Sequence, residues 1–347
     1  MDMQELLRFT IESKASDLHL SAQLPPLLRI DGELRKIDVP ALEPKTVSDL
    51  LYDIMNDDQR KNFEENLEVD FSFEVPEMAR FRVNVFNQNR GLAGVLRAIP
   101  LTVKSFDELG LPEIIKTISD YPRGLVLVTG PTGSGKSTTL AAMIDRINRA
   151  RYEHVITIED PIEFVHESKR CLINQREVHR DTLNFTNALR AALREDPDII
   201  LVGEMRDLET MRLAMTAAET GHLVFATIHT VSAAKTINRI IDGFPAGEKN
   251  MIRSMLSESL QAVISQLLLP RIGGGRVASH EIMLCNSAIR NLIREDKVPQ
   301  IYSAIQTGAS QGMQTLDQHL QKLMQTQLIS RETAQEIAID KTKFGGQ

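Results

Sequence analysis

The sequence predicts an α/β fold, a parallel sheet covered by helices on both faces, preceded by a smaller mixed α+β domain. Three observations predict it. Residues 125–129, 155–158, 199–202 and 223–228 are unbroken Leu-rich or β-branched runs separated by helical segments, the pattern of strands buried on both faces. Ahead of residue 100, short runs instead alternate apolar and polar with period two, as half-buried strands do. The chain has 347 residues, enough for two or three domains.

Composition narrows the class. Hydrophobic residues make up 42% and charged residues 25%, the balance of an ordinary globular chain and not of a disordered tail or a collagen-like repeat. No stretch approaches the ~20 apolar residues of a membrane helix: the run 124–130 is too short, and 298–316 is full of Gln, Ser and Gly. The net charge is −7 without a Lys/Arg-rich block, which disfavours a nucleic-acid binder. The start, MDMQELLRFT, is acidic where a signal peptide would be basic, so a cytoplasmic location is expected. Two isolated cysteines, Cys171 and Cys285, fit a reducing compartment and cannot build a cysteine-based zinc ribbon.

The elements follow in order. Residues 2–14 repeat at helical spacing, and short strands are expected at 17–20, 27–30 and 33–37, with Asp31-Gly32 as a hairpin turn. A helical stretch covers 46–66, and 71–75, 80–86 and 95–99 alternate as strands. Pro100, Pro112 and Pro122 mark 101–120 as a linker between a domain over 1–100 and a second over 121–347. In that second domain, Gly273-Gly274-Gly275 reads as a hairpin turn, and helices are expected at 286–296, 299–307, 315–328 and 330–341.

The strongest chemical signal is the stretch 130–137, GPTGSGKS. Gly130, Gly133 and Gly135 let the backbone N–H groups of the loop, including those of Thr132 and Ser134, close around phosphate oxygens. Lys136 neutralises β/γ charge, and the Ser137 hydroxyl ligates Mg2+. An apolar strand precedes the loop, and the helix expected over 137–149, with Thr138 in its first turn, turns its N-terminus towards the phosphates. ATP or GTP binding follows.

A later strand should end in a carboxylate near Mg2+ and the attacking water. Two candidates exist: Glu204, closing the run 199–202, and the cluster Glu159, Asp160 and Glu163 after 155–158. One carboxylate would hold the metal, directly or through water, and the other would orient or deprotonate water. His222 and His229 bracket the strand 223–228. Seven extended residues span roughly 23 Å, so both cannot reach one phosphate, and His229, at the carboxyl end, is the better γ-phosphate sensor. Arg194 and Arg206 flank the 199–202 strand as weaker candidates.

Together these motifs resemble the secretion-ATPase superfamily, and within it the type IV pilus retraction ATPases (the PilT family). Residues 130–137 match the Walker A box, 155–164 the acidic "Asp box" with Glu163 in the catalytic position, and 198–207 (DIILVGEMRD) the Walker B box with Glu204. Residues 220–230 (TGHLVFATIHT) match the "His box", and 16–20 (SDLHL) and 80–83 (RFRV) look like the family's N-terminal domain. The resemblance implies a RecA-like P-loop ATPase domain behind a PAS-like domain, with ATP and Mg2+ as ligands. It further implies a homohexamer docked on an inner-membrane pilus platform protein, driving pilus depolymerisation with no nucleic acid as partner. Arg82 and Arg97, on N-terminal strands, would reach the nucleotide as arginine fingers.

Two features select the retraction branch. The tetracysteine zinc element of assembly and secretion relatives cannot form here. Residues 288–295 (AIRNLIRE) resemble the retraction-specific C-terminal motif. By chemistry alone these residues make an amphipathic helix, with Ile289, Leu292 and Ile293 on an apolar face and Arg290, Arg294 and Glu295 opposite; the resemblance makes it a coupling element. A nucleic-acid motor on the same core, an accessory retraction paralogue and an assembly ATPase are the alternatives.

Overall fold

The structure, a computed structural model, describes residues 2–30, 32–99 and 102–345. It divides into two compact units, Met1–Thr102 and Val103–Gln347.

The first unit runs α1 (Met3–Glu12), β1 (Asp17–Ser21), β2 (Leu27–Ile30), β3 (Glu33–Lys36), α2 (Pro44–Asp53), α3 (Asp57–Asn66), β4 (Glu68–Val75), β5 (Ala79–Gln88) and β6 (Gly91–Ile99). The strands form one antiparallel sheet in the order β3-β2-β1-β6-β5-β4. Period-two alternation sends Leu18, Leu20, Phe81, Val83, Val85 and Leu96 to one face, where Leu6, Leu7, Leu51 and Phe63 of the helices cover them. The stretch 46–66 is not one helical segment but two helices. Asn56 caps the second, accepting from Gln59 N at 2.9 Å while the Gln59 side chain accepts from Asn56 N at 3.0 Å, a reciprocal pair that restarts a helix. Asp31 of the expected Asp31-Gly32 turn, Pro100, and Leu101 at the start of the expected linker lie outside the described residues.

The second unit opens with α4 (Phe106–Leu109) and α5 (Glu113–Ser119), where the linker was expected. Pro112 sits at the N-cap of α5 and starts a helix instead of breaking one. Phe106, Ile115 and Ile118 pack into the core against Val126, Val128, Ile144 and Ile147.

There follow β7 (Gly124–Thr129), α6 (Lys136–Ala150), β8 (His154–Glu159), β9 (Leu172–Glu177), α7 (Phe185–Ala192), β10 (Ile199–Val202), α8 (Leu208–Glu219), β11 (Leu223–Ile228), α9 (Ala233–Gly243) and α10 (Lys249–Ser259). The chain then makes β12 (Leu260–Pro270), β13 (Arg276–Leu284), α11 (Ser287–Arg294), α12 (Ile301–Thr307), α13 (Leu316–Gln325) and α14 (Arg331–Ile337). The sheet order is β13-β12-β7-β11-β10-β8-β9, parallel throughout except for β13. Every residue of β7, β10 and β11 is buried, because helices cover both faces. Leu125, Leu127, Ile200 and Val224 face one core with α7–α11, and Val126, Val128, Leu201 and Phe225 face the other with α5 and α6. The β12–β13 hairpin turns through Gly273, Gly274 and Gly275, all at positive φ, a conformation glycine adopts without steric cost. Among the described residues, no helix is long and apolar enough to cross a membrane.

Candidate active site

In an open parallel sheet the connections leaving the carboxyl ends of the strands gather along one edge, and ligands bind there. That edge carries the loop after β7, the acidic turn after β8, Glu204 after β10 and His229 after β11. The loop needs its glycines. Gly130, Gly133 and Gly135 have φ of 143°, 77° and 87°, and a Cβ added to Gly130 would lie 2.2 Å from the Gln266 carbonyl oxygen. Gly135 is also the N-cap of α6, so the unpaired N–H groups of that helix's first turn open onto the loop.

Lys136, only 8% exposed, is held inside the loop. Its Nζ donates to the carbonyls of Gly130 at 2.9 Å and Pro131 at 3.0 Å, and stands 3.4 Å from His229 Nδ1. The other ring nitrogen, Nε2, is 3.1 Å from Glu204 Oε1, and Glu204 Oε2 is 2.8 Å from Arg206 Nη2. An ammonium can only donate, so Nδ1 accepts and Nε2–H points at the carboxylate. The result is a connected row: Lys136, His229, Glu204, Arg206. Burial drives the Lys136 ammonium below its usual range, and the charges of Glu204 and Glu163 oppose that shift. Burial pushes Glu204 up, but its pairs with Arg206 and His229 prevail and hold it below the ordinary carboxylate range.

The acidic turn is built around Glu159. Its carboxyl accepts from Thr157 Oγ1 at 2.7 Å, Gln175 Nε2 at 3.2 Å and the Glu163 backbone N–H at 3.3 Å. Burial nevertheless raises its pKa to about 7, against those hydrogen bonds. Glu159 lines a cavity of about 30 Å3 with Ser137, Thr157, His166, Gly203 and Thr227, room for about one water. Glu163 itself is exposed. A Cβ at Gly203 would stand 3.0 Å from the Ile158 carbonyl, tighter than an ordinary contact.

Several expected residues lie elsewhere. His222, at the amino end of β11, places Nδ1 2.9 Å from the Ala217 carbonyl and closes the end of α8. Arg194 is exposed beyond α7, ahead of β10. Both sit at the amino ends of strands that run parallel to β7, away from the loop. Arg206, a flanking residue by sequence, pairs with Glu204. Arg290 does not point away from the apolar face of α11 into solvent. It donates to the carbonyls of Ser257 and Glu258 at the end of α10, the latter at 2.8 Å, and to Gln261 Oε1 at 3.0 Å, a cation at a helix C-terminus. Ile289 and Ile293 are fully buried and Leu292 packs beside them, whereas Arg294 and Glu295 are exposed. In the first unit Arg82 and Arg97 are directly opposed on β5 and β6, and Arg97 Nε donates to Asp17 Oδ1 at 2.9 Å.

The site fits a phosphate chain with its metal. Ser134 Oγ is buried without a hydrogen-bond partner among the described residues, an orphan that a phosphate oxygen would satisfy. The space beside Gly133 is open. Ser137 and Glu204 offer the hard oxygen donors that Mg2+ prefers. The family described as Type II/IV secretion system protein matches residues 2–337. The chain belongs to that family.

Within this secretion-ATPase family the likenesses are close. A type IV pilus retraction ATPase, PilT, of Pseudomonas aeruginosa is 70% identical over 97% of this chain and 98% of its own length. A twitching motility protein of Neisseria gonorrhoeae is 62% identical over 90% of this chain and 84% of its own. A crystal structure of the pilus retraction motor PilT with bound ADP superposes with a TM-score of 0.92 at 50% identity, covering 99% of this chain and 98% of that one. The second unit is thus the RecA-like core of a P-loop ATPase, behind an N-terminal α+β domain.

Proposed function

We propose that the protein is the motor of type IV pilus retraction, hydrolysing ATP to withdraw and depolymerise the pilus during twitching motility. The observation that carries this reading is the intact row Lys136–His229–Glu204–Arg206 at the P-loop of a chain that matches a retraction ATPase over nearly its whole length. Bound with ATP, Mg2+ would neutralise charge on the β- and γ-oxygens, held by Ser137 and, directly or through water, by Glu204.

This chain's own residues divide the remaining work. The loop N–H groups, with Thr132 and Thr138 beside them, bind and orient the triphosphate. Lys136 exchanges its carbonyl partners for phosphate oxygens, and His229 reports that movement to Glu204. Glu163 takes the proton of the attacking water, because both oxygens of Glu204 are already held by cations or donors. The α11 helix, pinned to α10 through Arg290, passes the change to the machinery. The working form is a homohexamer in the cytoplasm, docked on an inner-membrane platform protein. A steady-state phosphate-release assay tests the ATPase, and a binder without turnover would defeat it.

Metal dependence separates this reading from an assembly ATPase with a zinc element. Removing Mg2+ is expected to stop hydrolysis, whereas a zinc-selective chelator leaves the melting temperature unchanged. Stoichiometric zinc in elemental analysis, lost together with the fold, would contradict it.

Arg82 and Arg97 lie in the first unit and the P-loop in the second, so a ring allows them to act on a neighbour's nucleotide. Mixing two inactive variants, one Arg82→Ala with Arg97→Ala and the other Glu163→Gln, is expected to restore part of the ATPase activity. A tag pull-down establishes that the rings have mixed. Mixed rings without recovered hydrolysis would defeat the trans assignment.

A further inference from the structure

A glutamine stands inside the phosphate loop's support, far from it in sequence. Strand β12 reads LQAVISQLLLP, and Gln266 within it is 3% exposed. A polar side chain buried in an apolar strand demands partners. Both ends of this amide have one. Gln266 Nε2 donates to the Ser134 carbonyl at 2.7 Å, and Gln266 Oε1 accepts from Thr139 Oγ1 at 2.8 Å. The amide's orientation is fixed by chemistry, since a carbonyl can only accept. One side chain therefore ties the loop to the first turn of α6, the helix it opens.

The glycines are cut to the same shape. A Cβ at Gly130 would meet the Gln266 main-chain carbonyl oxygen at 2.2 Å, and a Cβ at Gly135 would meet the side-chain Nε2 of Gln266 at 2.8 Å. Two glycines of the motif thus give clearance to β12 as well as to a phosphate. The peptide joining Ser134 to Gly135 is planar and trans, with its C=O and N–H pointing in opposite directions. Drawing the Ser134 oxygen towards Gln266 turns the Gly135 N–H the other way, away from Gln266.

We propose that Gln266 is a positioning residue for nucleotide binding, fixing the Ser134–Gly135 peptide so that its N–H meets a phosphate oxygen. The proposal rests on the P-loop reading above and deepens it. Gln266 touches no reacting atom; it acts through the loop.

The test compares binding of a fluorescent Mg-ADP analogue, and KM and kcat for ATP, in the full-length parent and variants. Gln266→Leu keeps the volume and removes both bonds; it is expected to weaken nucleotide binding and raise KM about tenfold or more, with kcat at saturating ATP changed far less. Thr139→Val removes one bond and leaves the Ser134 tie, so affinity is expected to stay within about threefold of the parent. Gln266→Glu supplies the signature of positioning. Its ionised form faces the Ser134 carbonyl with an acceptor and binds nucleotide weakly; protonation restores an O–H donor. Its affinity relative to the parent should recover as pH falls from about 8 to about 6, because burial raises a carboxyl pKa.

If the leucine variant does not fold, the glutamate variant's pH response decides. A folded Gln266→Leu protein that binds nucleotide within about twofold of the parent, or a Gln266→Glu affinity that ignores pH, would overturn the inference. A parent that binds no nucleotide would instead overturn the P-loop reading itself.

Discussion

Lys136→Ala is expected to abolish hydrolysis, lowering kcat by at least about 10²–10³-fold, and to weaken nucleotide binding. The ammonium is the only cation built into the loop, and it is held ready there by the carbonyls of Gly130 and Pro131. Those carbonyls make a modest resting place, since an oxyanion is the stronger partner for an ammonium. Losing the side chain also strips His229 Nδ1 of its donor and so disconnects Glu204 from the loop. The fold should survive, because burial already works against the charge at this position. Phosphate release, analogue binding and thermal melting on one preparation check all three statements. Undiminished turnover in a folded variant would remove Lys136 from the site.

Glu163→Gln should have an effect as large on turnover and a different one on binding. A general base contributes about 10²–10⁴-fold, so kcat is expected to fall by that much while ATP affinity stays close to the parent's. The amide has the shape of the carboxyl, and the tether from the Glu163 N–H to Glu159 belongs to the main chain. The structure separates this residue from Glu204. A carboxylate clamped by His229 on one oxygen and Arg206 on the other, and held below its ordinary range, is a poor proton acceptor and a good metal or water anchor. Single-turnover kinetics with radiolabelled ATP would show nucleotide bound and uncleaved. Parental turnover would move the base to Glu204.

The parts of this site legible in the sequence are those fixed by local spacing. Eight consecutive residues define the phosphate loop, and the unbroken apolar runs announced strands that the sheet buries on both faces. His222 and His229 are told apart in the same way, because an intact β11 keeps them at opposite ends of the strand. Other features depend on contacts between distant segments. Arg290 on an amphipathic helix reads as solvated until α10 brings two carbonyls to it.

Gln266 is separated by 132 positions from the Ser134 carbonyl it binds. Its one sequence signal, a polar residue in the apolar run of β12, is informative only once that run is known to be buried. Edge strand β9, with its mixed burial, lacks the apolar run that identified its neighbours. Residues 101–120 read as a linker because prolines punctuate them, yet Phe106, Ile115 and Ile118 pack into the core.

If this ATPase drives the withdrawal of pili, the number of surface pili per cell must change in a strain lacking the protein. The retraction reading predicts more pili than in the parent, on cells that no longer twitch, with the parental count restored by the intact chain and not by the Glu163→Gln form. Cells bare of pili would instead make the protein an assembly motor, and an unchanged count would contradict the account.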